Sequence, residues 1–116
     1  MMKGELLMVH HIEQERVNEE VVINSQRLMI LDIYADWCVP CQMLSPILTE
    51  LDKKYDDLQV YKLNADESEN FLTLNNILSI PTLIFYKDGE EKERIVGLES
   101  MEKIENIIKA YGITEG

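Results

Sequence analysis

A mixed α/β sheet with helices on both faces is the fold this sequence predicts, and three observations predict it. Short apolar runs alternate with segments of helical period along nearly the whole chain. The run Leu28-Met29-Ile30-Leu31-Asp32-Ile33-Tyr34 is apolar on both faces, as a central strand buried from both sides must be. Near the end, Asp88-Gly89 is a tight-turn signal for a hairpin, which adds antiparallel strands to parallel ones.

The elements follow in order. Residues 13–23 are mostly polar, with Val17 and Val21 one turn apart, and predict a helix. Strand 28–34 comes next. Leu44, Ile47, Leu48, Leu51 and Tyr55 then recur at helical spacing and form one stripe of a long helix. Pro40 falls in its first turn, where a missing N–H costs nothing. Pro46 falls inside it and is expected to kink it and free the carbonyl of Gln42. Residues 58–64 read as a second strand, 69–75 as a short helix, and 82–86 as a third strand. Residues 93–96 form the returning arm of the hairpin. Ser100 caps a last helix with Met101, Ile104, Ile107, Ile108 and Tyr111 on its buried face and Gly112 just past its end. Helices between the first strands demand crossover connections and parallel pairing.

A chain of 116 residues fits one domain, taken here as 1–116 with its core over about 10–112. That length buries a core without disulfide or metal staples. No apolar run approaches a membrane span. The first eleven residues lack the pattern of a signal peptide, so a cytoplasmic protein is expected. The formal charge of −11 is spread along the chain and offers no basic footprint for nucleic acid or for an anionic membrane. Solubility is the plain reading of that acidity, and a basic partner the alternative.

The two cysteines of the chain lie three positions apart in Trp37-Cys38-Val39-Pro40-Cys41. The first turn of a helix carries unpaired N–H groups and partial positive charge, so a thiolate of Cys38 is stabilised there and its pKa should fall. Cys41, one turn further in, is expected to be the more buried and to resolve the mixed disulfide that Cys38 forms. The competing readings are half of a zinc site and two inert buried thiols. Zinc takes four ligands, and His10 and His11 are adjacent rather than at ligand spacing. They read as ordinary residues of a first strand or its edge, and neither a metal nor a cofactor is expected.

Asp32 lies within an apolar strand, where aspartate is disfavoured. A buried carboxylate satisfied by local hydrogen bonds is one reading. The strand leads to Cys38 six residues on, which favours a proton acceptor for the thiol of Cys41. Ile80-Pro81-Thr82 places a proline at a strand start, where it removes a donor that is not needed. Lys62 on the second strand reads equally well as a solvated strand-end lysine.

Together these residues resemble the thioredoxin family: Asp32, Ala35-Asp36-Trp37-Cys38-Val39-Pro40-Cys41, Pro46, Lys62 in Val60-Tyr61-Lys62-Leu63-Asn64-Ala65-Asp66, Ile80-Pro81-Thr82, and Gly97. The resemblance implies a thioredoxin fold, a five-stranded mixed sheet flanked by four helices. It implies that Cys38 is the exposed nucleophile, Cys41 the resolving thiol, Asp32 the proton acceptor and Lys62 the modulator of its charge. It implies a cis Pro81, pairing of the Ile80 backbone with an extended substrate segment, and an apolar docking surface of Trp37, Val39, Pro40, Ile80, Pro81 and Gly97. The expected activity is reduction of protein disulfides by a monomer that a thioredoxin reductase recharges. The alternatives are a specialised member serving one enzyme system and a redox-silent binding module. Two departures stand out. Val39 replaces the glycine usual between the cysteines, stiffening the turn and changing the exposed surface. Gln42 stands where many members carry a cation, which removes a positive charge beside the sulfurs.

Overall fold

The computed structural model describes residues 9–115. Most of the first eleven residues, where no signal peptide is expected, and both ends of the expected domain lie outside them. In chain order the elements are β1 (His10–His11), α1 (Val17–Ile23), β2 (Leu28–Tyr34), α2 (Val39–Lys54), β3 (Leu58–Asn64), α3 (Glu69–Leu74), β4 (Thr82–Lys87), β5 (Glu90–Val96) and α4 (Met101–Ala110). Single 3-10 turns precede α1 at Gln14–Arg16 and α3 at Ala65–Glu67. The five strands form one sheet in the order β1-β3-β2-β4-β5. β2 and β3 pair in parallel, and β4 and β5 complete the sheet antiparallel. The mixed α/β architecture is as expected.

β2 is the spine, and all seven of its residues are buried. Its alternate side chains supply two cores, one on each side of the sheet. Leu28 and Ile30 join Leu44, Leu48, Leu51, Val60, Leu83, Phe85, Ile104 and Ile108 under α2 and α4. Met29, Leu31 and Ile33 join Val17, Val21, Leu63, Phe71 and Ile84 under α1 and α3. Asp32 and Tyr34 continue the alternation of Leu28 and Ile30, so they point to the α2 side.

Local chemistry sets the ends of the elements. Ser100 Oγ accepts from the N–H of Lys103 at 3.2 Å and caps α4. Asp88 and Gly89 both take positive φ, 56° and 81°, as the two central residues of a tight hairpin require. The returning arm is longer than expected. It starts at Glu90 and carries an irregularity opposite Phe85 and Tyr86. Pro46 lies inside α2 without ending it. Among the described residues no helix is long and apolar enough to cross a membrane.

Candidate functional site

β2 and β3 are parallel, so their carboxyl ends lie at the same edge of the sheet, where sites in open α/β sheets are built. The chain leaves β2 at Tyr34 and enters α2 within five residues, and Cys38 is the N-cap of that helix. Its Sγ accepts from the N–H of Cys41 at 3.2 Å. The sulfur thus occupies the position of a capping oxygen, within the positive end of a helix of 16 residues. Cys38 and Cys41 are joined as a disulfide, with their Cα atoms 5.3 Å apart. Gln42 reaches back to donate to the carbonyl of Asp36 at 2.9 Å, which braces the turn.

The expected contrast between an exposed Cys38 and a buried Cys41 is small here, since they are 5% and 3% exposed. What separates them is where they open. Cys38 lines a groove of about 690 Å³ with Trp37, Val39, Pro40, Leu78 and Ile80. Cys41 lines a second cavity, of about 610 Å³, with Tyr34, Asp36 and Lys62. Trp37 and Val39 are largely exposed on the groove. The Ile80–Pro81 peptide is cis. Pro81 is buried and Gly97 half-buried, and neither lines the groove as the docking expectation required. Gly97 instead donates its N–H to the carbonyl of Pro81 at 2.8 Å, with φ at +93°, and holds the cis turn from behind.

Asp32 is fully buried, and neither of its carboxylate oxygens has a hydrogen-bond partner within the described chain. The reading of a carboxylate satisfied by local hydrogen bonds therefore fails. Burial pushes its pKa from 3.8 to about 7, against the smaller opposing pull of the Lys62 charge. Lys62 stands beside it in the parallel register and is half-buried, not a solvated strand-end lysine.

Several residues of the site escaped the sequence reading. Asp66, just past β3, accepts from the indole Nε1 of Trp37 at 2.9 Å and fixes the ring at the groove edge. Leu78 is almost fully exposed on the same groove. Tyr34 packs against both cysteines. The signal for Asp66 was topological: parallel strands bring the residues after β2 and after β3 to one edge. Leu78 carries no pattern of its own, because a loop apolar residue has no period to betray it.

A cysteine pair at a helix start, a buried acid on the strand that leads to it and an apolar groove beside it on this α/β sheet define a thiol-disulfide oxidoreductase. A family model described as Thioredoxin matches residues 8–110, and the chain belongs to the thioredoxin family. It is 38% identical to the chloroplastic M-type thioredoxin of Pisum sativum, over 91% of this chain and 70% of the pea protein. It is 40% identical to the thioredoxin of Chlamydia pneumoniae, over 72% of this chain and 82% of that one. The chain spans 52% of the length of the chloroplastic M-type thioredoxin of Spinacia oleracea, to which it is 40% identical. Among solved structures it is similar to a thioredoxin variant from Halobacterium salinarum. The TM-score is 0.83 at 30% identity, covering 90% of this chain and 91% of that one. The five-stranded sheet with four helices is thus the thioredoxin fold, and the cysteine pair makes the protein a dithiol protein-disulfide reductase. Thioredoxins act on disulfide-containing substrates and are reduced by thioredoxin reductase.

Proposed function

We propose that this protein is a general cytoplasmic disulfide reductase acting as a single-domain monomer, with its chemistry divided among four residues. Cys38 is the nucleophile. Its thiolate attacks one sulfur of a substrate disulfide, a mixed disulfide forms, and the first substrate thiolate leaves. Asp32, ionised before this step, takes the proton of the Cys41 thiol. The Cys41 thiolate then attacks the Cys38 sulfur, and the second substrate thiolate leaves. The substrate gains two electrons, and this protein ends as the Cys38–Cys41 disulfide. A thioredoxin reductase returns the electrons. Lys62 modulates the charge of Asp32.

The observation that carries this division is the N–H of Cys41 donated to Cys38 Sγ, which stabilises negative charge on that sulfur in particular. The neutral-range pKa of Asp32 supports it, because an acid that titrates near ambient pH serves best as a proton acceptor. Trp37, Val39, Pro40 and Ile80 supply the docking surface. The Ile80 backbone, which no described residue hydrogen-bonds, pairs with an extended segment of the substrate, and Pro81 and Gly97 shape that turn from below.

Reduction of insulin disulfides with dithiothreitol as electron source tests the activity, and a rate no higher than the dithiothreitol background overturns it. The division of roles is tested with Cys41→Ser, which should lose turnover and retain substrates as mixed disulfides through Cys38. Trapping by Cys38→Ser instead reverses the assignment.

A further inference from the structure

Lys62 has two neighbours of opposite character. In the register of β2 and β3 it stands beside Asp32. Its ammonium, however, lies over the ring of Tyr34, 4.4 Å from the centroid. It makes no hydrogen bond to Asp32, whose two oxygens are both without a partner among the described residues.

Tyr34 lies two residues beyond Asp32 on the same strand, hence on the same face of the sheet. Its ring packs with Ala35, Cys38, Cys41 and Ile80. Its far end is tied to the edge of the sheet. The hydroxyl is 3.1 Å from Nδ1 of His11, and the His11 ring meets it edge-on at 5.8 Å. The ring is therefore held in place from two sides. With Cys41 and Lys62 it lines a cavity that shares no lining residue with the groove.

A cation within about 6 Å of a ring centroid is drawn to the ring face. An opposite charge within about 4–6 Å of a carboxylate favours its ionised form by about 1–3 pKa units. The same ammonium cannot fully serve both. In contact with Asp32 it would leave that acid ionised well below neutral pH and a poor acceptor for a thiol proton.

We propose that Tyr34 is a positioning residue: its ring face seats the Lys62 ammonium at the cavity mouth and keeps it out of contact with Asp32. The role rests on the reading of Asp32 as proton acceptor. It acts through Lys62, without contact to substrate. The other titratable groups around Tyr34 and this cavity are His11, Asp36, Glu50 and Glu67, all retained in the variants below.

The test is a carboxyl carbon NMR titration of Asp32 in the disulfide form of the full chain. Tyr34→Leu removes the ring face and frees Lys62 to pair with Asp32. Its midpoint should fall by about one unit or more below that of the wild type. Tyr34→Phe keeps the ring face and should titrate closer to wild type than to Tyr34→Leu. Adding Lys62→Met to Tyr34→Leu removes the cation and should return the midpoint to the wild-type value or above. An unchanged or raised midpoint in Tyr34→Leu overturns the proposal, as does a Phe variant that behaves like the Leu variant. Should Tyr34→Leu not fold, the Lys62 ε-methylene protons of the wild type decide. The Tyr34 ring current should shift them upfield, and unshifted resonances overturn the seat. A wild-type Asp32 that titrates near 4 is a different failure, since it removes the proton-acceptor reading along with this one.

Discussion

Asp32 concentrates the cost of the site in one side chain. Its folded pKa of about 7 lies above its unfolded value near 3.9, so the native state holds this proton more tightly than the unfolded chain does. The resulting stability is fully present below about pH 4 and is lost as pH rises toward 7. The loss levels off at about 4 kcal/mol, from about three units at 1.36 kcal/mol each. Asp32→Asn removes the titration but leaves an unpartnered amide, which costs about 1–3 kcal/mol. The variant should therefore be more stable than wild type by about 1–3 kcal/mol near pH 8 and should lose that advantage near pH 4. Urea unfolding at the two pH values checks this, and an equal difference at both rules out the buried carboxyl as its source. On the proposed role of Asp32 as proton acceptor, turnover of the same variant should fall. At this scale the sequence was informative where a residue broke the pattern of its element, as Asp32 did. It was silent on Tyr34, which fits a buried strand too well to stand out.

Helix α2 sets a loop cysteine at its positive end. Its N-terminus supplies the N–H that meets Cys38 Sγ, and its second residue, Pro40, has no donor to lose there. Its first residue, Val39, is 62% exposed on the groove. A valine side chain buried against a partner is worth up to about 1.5 kcal/mol, which is roughly tenfold in affinity. Val39→Gly should thus raise KM for insulin by several-fold, up to about tenfold, while reduction of a small aromatic disulfide changes less. An equal loss on both substrates would place the effect of Val39 in the chemistry rather than in docking. Element boundaries were legible wherever burial imposed a period. β2 and β3 run over the residues their patterns predicted. The start of β5 was not legible, because Glu90-Glu91-Lys92 lies on an exposed edge where neither face demands apolar residues. β1 escaped a firm boundary for the same reason: two exposed residues carry no period.

The whole molecule holds the site by burying β2 and β4 between two helical layers. Phe85, fully buried on β4, sits in the core beneath α2 and α4. Phe85→Ala should cost about 3–5 kcal/mol, a large share of the roughly 5–15 kcal/mol expected of a domain. Denaturant unfolding measures it, and a loss under about 1 kcal/mol would mean that the core collapses around the gap. On the outer side of that layer, Lys54 of α2 pairs with Glu105 of α4 and with Glu115 at 3.1 Å, and Tyr55 also bonds Glu105. These links are partly exposed, and ion pairs at such sites contribute little next to the apolar contact. By itself the sequence determined the order of the elements and the identity of the dithiol, each resting on spacing within a few residues or on a hydrophobic period written along the chain. The reaction was implied by the resemblance that the motifs from Asp32 to Gly97 carry together. Tertiary structure decided what surrounds the sulfurs: Asp66 on Trp37, Gly97 behind the cis Pro81, and Lys62 over Tyr34 instead of on Asp32. Those contacts join residues 16 to 29 positions apart. They exist only because parallel pairing of β2 with β3, and antiparallel pairing of β4 with β5, bring distant segments to one place, which no local pattern specifies.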